Sequence, residues 1–437
     1  MTQKTMLMKR TQRTAVIILT IAGAINFLDR STLAIANHAV RDELGLSATQ
    51  MGVLLSAFLF AYSFSQIPMG ALIDRLGCRI MIGLGMLLWS LAQFSGGLAG
   101  SMEFMLGARI VLGITETPLF PSVPKIICDW FPLRERGRPQ GIFQTCSTIG
   151  PAIAPPFLTG LMLVFGWRGM FMIMGGAGAV TAAVWYLLYR NRNEVALTRE
   201  EERYLEEGEN PGTGQRAISF AAWRSLAGSR TTIGMTLGFI GVVYMVWLYL
   251  TWLPAYVEQR FHLSIAQAGW VLSIPYVFGT IAMFSSGFIV DALARRGVTP
   301  INSRKWPICV GLTLASVFTV FVAFADSVVS IVVLLSIAFL FLYVASGACW
   351  MLVNVVAPRH IVGSLGSIMA FGAFLGGAFA PLVTGIVVDQ THSFVGAFLS
   401  AAVVSTVAAF IYLIVVRTPI AIPERVIGGT PDLVAPH

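Results

Sequence analysis

The chain has 437 residues, of which 56% are hydrophobic and only 11% charged, with a formal net charge of +8. A soluble domain carries about 25% charged residues, so a water-facing coat of the usual kind is excluded. The basic residues punctuate apolar runs and form no patch, which excludes a nucleic-acid partner. Each run is roughly 20 residues, long enough for a helix to cross a bilayer core of about 30 Å. Lipid offers no backbone hydrogen bonds, so such runs must be helical; the ten-residue alternation of a β-barrel is absent. The expected fold class is an all-α membrane protein, with the lipid bilayer as its solvent.

In chain order, spans are expected near 14–38, 48–72, 79–99, 102–125, 138–163, 168–190, 230–257, 265–291, 304–325, 328–356, 361–388 and 393–416. The first follows Lys9, Arg10 and Arg13 like a signal peptide, but Asp29 and Arg30 lie in its second half and no small-x-small cleavage site follows. A polar stretch, 191–229, with Glu200, Glu201, Glu202, Glu206, Glu207 and Glu209 and then Asn210-Pro-Gly212, divides the spans six and six. The expected organisation is a bundle over 1–190, a cytoplasmic linker over 191–229, and a bundle with a cytoplasmic tail over 230–437: twelve transmembrane helices in two pseudo-symmetric six-helix bundles.

Lys and Arg favour the cytoplasmic side. With a cytoplasmic N-terminus that side holds Lys4, Lys9, Arg10, Arg13, Arg75, Arg79, Arg134, Arg136, Arg138, Arg190, Arg192, Arg295, Arg296, Arg304, Lys305, Arg359 and Arg417. The opposite connections hold only Arg41, Arg168 and Arg260. Both termini are therefore expected in the cytoplasm. The five cysteines (Cys78, Cys128, Cys146, Cys309, Cys349) show no CxxC spacing and imply neither a metal site nor disulfides. The histidines (His38, His262, His360, His392, His437) are dispersed, which speaks against a membrane enzyme.

Charges inside the spans are few. Asp29 and Arg30 lie in the first, Arg109 and Glu116 in the fourth. Each costs at least ~2.5 kcal/mol at a lipid-facing midplane, so each should face the interior and find a partner. Arg109 and Glu116 share a helix face but stand about 10 Å apart along the axis, so each should meet another helix. Two arginines suit an anion, since a guanidinium matches a carboxylate with parallel bonds. Two buried acids can carry protons, because burial favours the neutral form while a nearby arginine opposes it. A purely structural pair joining the two helices is the plainer reading.

Gly70-Ala-Leu-Ile-Asp74-Arg75-Leu-Gly77-Cys-Arg79 ends the second span, and Gly287-Phe-Ile-Val-Asp291 with Arg295 and Arg296 ends the eighth. The first resembles the signature of the major facilitator superfamily. There the glycine lets helices approach, and the acid meets a helix N-terminus or loop arginines. That resemblance gives a gating role to Gly70, Asp74, Arg75, Gly77, Arg79 and Asp291. Ile25-Asn-Phe-Leu-Asp29-Arg30-Ser-Thr-Leu-Ala34, Tyr62 in Phe-Ala-Tyr-Ser-Phe-Ser-Gln, Arg109 through Pro121, and Trp130-Phe-Pro-Leu-Arg-Glu-Arg136 are similar to the anion:cation symporter family. Bacterial members of that kind carry galactonate, glucarate or hexuronates with protons. The resemblance implies a proton-coupled symporter of the inner membrane that imports a small organic anion by alternating access. It implies a monomer driven by the proton gradient, with no other cofactor. Asp29 and Glu116 would carry protons; Arg30, Tyr62 and Arg109 would line the anion site.

Further substrate contacts are expected from Gln144, Ser147, Tyr249, Trp350 and Asn354. The fifth span has Ser147 where sugar-acid carriers tend to have an amide. The tenth has Gly347 and Cys349, and the eleventh has Ala370, Phe371 and Phe374, where polar groups would be expected. Fewer hydroxyl partners point toward a shorter or aromatic acid. An anion exchanger without proton coupling is the alternative, with a multidrug antiporter behind it; paired arginines repel lipophilic cations.

Overall fold

The computed structural model describes residues 6–132, 135–207, 220–357 and 362–420. Lys4, Leu133, Arg134, Glu209, the Asn210-Pro-Gly212 break, Arg359, His360 and the tail with His437 lie outside the described residues. Every regular element among the described residues is helical: α1 (Met6–Ile35), α2 (Asn37–Leu44), α3 (Ala48–Gly96), α4 (Met102–Glu116), α5 (Leu119–Trp130), α6 (Gly137–Gln144), α7 (Cys146–Leu188), α8 (Arg199–Leu205), α9 (Phe220–Ala227), α10 (Arg230–Phe261), α11 (Ile265–Arg295), α12 (Asn302–Ala323), α13 (Val328–Val356), α14 (Val362–Gly377), α15 (Phe379–Thr391) and α16 (Val395–Val415). Nine helical segments among the described residues are long and apolar enough to cross a bilayer. The chain is a multi-pass membrane protein.

Local sequence sets several helix starts. Ser47, Ser264 and Ser327 each accept from the backbone N–H three residues on, and the side chains of Gln50, Gln267 and Ser330 reach back. These reciprocal bonds satisfy donors the first turn would otherwise leave open. Two helices are too long for one crossing and break at a glycine. α3 reverses at Gly77 (φ 78°, ψ 156°) and α7 at Gly166 (φ 68°, ψ 173°), backbone conformations that glycine alone adopts without strain.

Packing has two levels. α3 lies against α4 and α7, and α1 against α7; in the second half α12 packs on α13 and α16, α11 on α13, and α10 on α14 and α16. Across the halves, α7 meets α11, α3 meets α14 and α15, and α1 meets α10. The polar connection is partly built: Thr198 and Glu201 cap α8, whose Tyr204 and Leu205 are buried against Met8.

The two ends of this inter-half seam differ. At one end a Cβ on Gly52 would stand 2.7 Å from the Pro381 carbonyl, and a Cβ on Gly385 would collide with the Ala48 carbonyl. The Asp389 carboxylate of α15 there accepts from the backbone N–H of Ala48 (2.8 Å) and Thr49 (2.6 Å), at the N-terminus of α3. At the other end, Cβ atoms on Gly70 and Gly287 would meet nothing within 4 Å. The close helix approach expected at the signature glycine is absent at Gly70, while the helices do touch at Gly52 and Gly385.

Candidate functional site

Small residues bring the charges together. A Cβ on Gly23 of α1 would stand 2.6 Å from Cys146 Sγ, and one on Gly150 of α7 would stand 2.7 Å from Phe27 Cβ, so these glycines let α1 and α7 close. Gly113 lies one turn from Arg109 on the same face of α4, and a Cβ there would collide with the Phe58 carbonyl of α3. The absence of that Cβ carries Phe58 and Tyr62 up to the charged faces of α1 and α4.

At the centre, Arg30 Nε donates to Glu116 Oε2 at 2.9 Å, with both side chains almost wholly buried. The expectation that the fourth-span acid meets a charge of the first span is met by this pair. The Arg30 guanidinium also lies 4.8 Å from the ring of Tyr62, 5.2 Å from Phe27, 5.3 Å from Phe58 and 5.8 Å from Phe120. Such cation–ring distances are attractive, more so away from water. Arg109 is 5.2 Å from the Phe58 ring. Its Nε and Nη1, both carboxylate oxygens of Asp29, Arg30 Nη2, Glu116 Oε1 and both amide atoms of Asn26 have no hydrogen-bond partner among the described residues. Two acids and two arginines thus share one buried region with only one close ion pair between them, leaving unused valence for a ligand.

The other expected contacts are more scattered. Ser147 Oγ donates to the Gln144 carbonyl at 2.7 Å, and the Gln144 side chain is exposed at the α6–α7 junction. Trp350 is 41% exposed and packs edge-on against Phe239 at 5.6 Å; Asn354 is exposed one turn further along α13. Tyr249 is buried, with its hydroxyl 2.6 Å from Thr319 Oγ1, and borders a narrow cavity beside Ser31, Pro151 and Tyr276. Tyr62 touches the second half through Phe374, ring centroids 5.6 Å apart.

The signature segment lies at the far end of its helix from the Asp389 contact. Asp74 is exposed and pairs with Lys125 at 2.6 Å; a lysine of α5, not a loop arginine, is the partner here. Arg79 donates to Glu194 (2.8 Å) and to the Tyr186 carbonyl (2.9 Å), so it fastens the polar connection instead. Gly77 supplies the reversal, while Arg75 and Asp291 are exposed. Sequence reasoning missed Asn26, the Phe27–Phe58–Phe120 cage and the Asp389 cap. Phe58 stands one helical turn before Tyr62, a spacing that could have flagged it; nothing local to Asp389 announces its distant partner.

Helices long and apolar enough to cross a bilayer, packed around a buried cluster of acids and arginines, define a membrane transporter. The Major Facilitator Superfamily model matches residues 19–381, and the chain belongs to that family, a family of transporters rather than enzymes. It is 43% identical to the "Probable L-galactonate transporter" of Escherichia coli (strain K12), over 97% of this chain and 93% of that protein. It is 29% identical to the "D-galactonate transporter" of Escherichia coli O6:H1, over 92% and 94%. It is 30% identical to the "Hexuronate transporter" of Bacillus subtilis (strain 168), over 92% and 93%. Among solved structures, a bacterial homologue of the human lysosomal transporter Spinster, inward-facing and unoccupied, superposes with a TM-score of 0.80 at 19% identity, covering 94% of this chain and 98% of that one. A D-xylose-proton symporter superposes at 0.72 and 17% identity, covering 94% and 99%. These likenesses fix the fold. Among the described residues no cluster of His, Cys, Asp and Glu is arranged to hold a metal.

Proposed function

We propose that this chain is a proton-coupled symporter that imports a sugar acid, an aldonate of the L-galactonate kind, by alternating access. The buried Arg30–Glu116 pair, beside Asp29 and Arg109, carries the proposal. A substrate carboxylate competes with Glu116 for the Arg30 guanidinium. An acid that loses its counter-ion in a low-dielectric site favours its neutral form, so anion binding draws a proton onto Glu116. Asp29 is the second proton carrier, and Arg109 is the second anchor for the carboxylate. Tyr62 closes the site toward the second half. Gln144, Ser147, Trp350 and Asn354 meet the hydroxylated end of the cargo, with Tyr249 shaping the far wall. The 43% identity to a protein named for L-galactonate favours an aldonate over the shorter or aromatic acid suggested by the apolar tenth and eleventh spans.

The architecture under this proposal has twelve spans: α3 and the 137–188 segment count as two each, split at Gly77 and Gly166, while α4 with α5 and α14 with α15 count as one each. Residues 1–190 form one bundle, 191–229 a cytoplasmic linker, and 230–437 the other bundle with its tail. The protein works as a monomer in the bacterial inner membrane with both termini cytoplasmic. Gly70, Asp74, Arg75, Gly77, Arg79 and Asp291 then flank the cytoplasmic gate. The Asp389 contact with the start of α3 then serves as the outer gate.

Uptake into proteoliposomes of labelled L-galactonate, D-galactonate, glucarate, glucuronate and a short or aromatic acid tests the reading. Accumulation of an aldonate under an inward proton gradient, abolished when the gradient is collapsed, is expected. Exchange against internal anion at equal pH with no gradient-driven accumulation would make the protein an exchanger.

A further inference from the structure

We propose that Asn26 is a positioning residue for the proton step, its amide taking up the hydrogen bond of Glu116 whenever Arg30 turns to the substrate. The inference rests on the symport reading above. Asn26, Asp29 and Arg30 stand at i, i+3 and i+4 on α1 and therefore share one face. Asn26 is fully buried, and neither its Nδ2 nor its Oδ1 has a hydrogen-bond partner among the described residues. A buried amide without partners is unfavourable, and such a group in a native site calls for an explanation. One turn before Arg30, Asn26 lies on the face of α1 from which Arg30 meets Glu116. That carboxylate uses Oε2 on Arg30, while its Oε1 is unpartnered.

The chemistry of an amide suits this place. Ionised Glu116 accepts only, and the Asn26 NH2 can donate to it. Protonated Glu116 has an O–H to give, and the Asn26 carbonyl can accept it. A lysine or a second carboxylate would serve one of the two states alone; an amide serves both by rotating. The groups around this acid are Asp29 and Arg30 on α1, Tyr62 on α3 and Arg109 on α4, with Cys146 of α7 near Arg30. The arginines are the parts an anion engages. Once the anion holds Arg30, Asn26 is the neutral partner that keeps the protonated acid from being stranded without a hydrogen bond.

The test compares wild type, Asn26→Leu and Asn26→Ser in proteoliposomes with labelled L-galactonate. Two readouts are taken: counterflow at equal pH with excess internal substrate, and accumulation under an inward proton gradient across a series of external pH values. Counterflow lets the carrier shuttle loaded and needs no proton release. Stranding a buried polar group is worth about a factor of ten or more, so N26L should keep counterflow at acid pH, where mass action protonates Glu116, while accumulation at neutral external pH falls by roughly that factor. The pH dependence of its uptake should also move toward acid relative to the wild type. N26S keeps a donor and an acceptor and should restore both. Undiminished accumulation with the wild-type pH profile in N26L overturns the inference. So does parallel loss of counterflow and accumulation that N26S leaves unrepaired, since the amide is then only structural. If wild type shows counterflow but no gradient-driven accumulation, the symport reading fails and the inference falls with it.

Discussion

Arg30 is held in two ways, by the Glu116 carboxylate and by four aromatic rings, and the two respond differently to substitution. Removing one partner of a buried ion pair strands the other charge at a cost of about 3–5 kcal/mol. Arg30→Met should therefore lower the melting temperature of the detergent-solubilised protein markedly, while Arg30→Met with Glu116→Gln recovers much of it. Neither variant should take up anion, because the guanidinium is gone from both. A thermal melt beside an uptake assay separates the stabilising part of the pair from its work. Glu43 offers a simpler titration outside the spans. The Trp167 indole N–H (2.6 Å) and the Arg168 guanidinium hold its carboxyl below the ordinary carboxylate range. A group depressed on folding stabilises above its unfolded value, and that contribution is lost as pH falls through the folded one. Acid should undock α2 from the Gly166 turn, seen as a tryptophan fluorescence change that Glu43→Gln removes. At this scale the four intramembrane charges were legible, because each is an anomaly in an apolar run. Asn26 was not, since one amide in a span is unremarkable until both its polar atoms prove buried and unpaired.

The elements that control access are the N-terminal part of α3 and the end of α15. Their contact depends on two glycines and a carboxylate that caps a helix in the other half. A carboxylate at a helix N-terminus is favoured by the open N–H groups and the helix dipole together. Gly385→Val pushes a side chain into the Ala48 backbone, and Asp389→Ala removes the cap. Both should shift the population toward the conformation parted at this end. Cysteines placed near Gly52 should become more reactive to a membrane-impermeant maleimide applied from the outside, and those near Gly70 less reactive to the same reagent applied to inside-out vesicles. The spans themselves were readable from hydropathy and the reversals from glycine, since Gly77 and Gly166 fall between apolar runs. The partners of Asp74 and Arg79 were not readable. Positive-inside statistics say which side a basic residue lies on, but not that Lys125 would reach Asp74 while Arg79 turned to Glu194.

For the molecule as a whole, one pattern recurs in sequence and in packing. Gly70 through Arg79 is echoed by Gly287 through Arg296, and the seam pairs α3 with α14 and α15 where it also pairs α11 with α7. Yet the halves are not chemically equal. Asp29, Arg30, Arg109 and Glu116 all belong to the first, and their formal charges sum to zero. A monoanion entering with one proton leaves that sum at zero, and the empty carrier returns at zero as well. Such a cycle is blind to membrane voltage. If Asp29 and Glu116 are both protonated on the loaded carrier, one positive charge crosses per turn, worth about 2.3 kcal/mol for each 100 mV. Proteoliposomes clamped with a potassium ionophore thus count protons electrically: accumulation that ignores an inside-negative potential means one per anion, and accumulation that climbs with it means two.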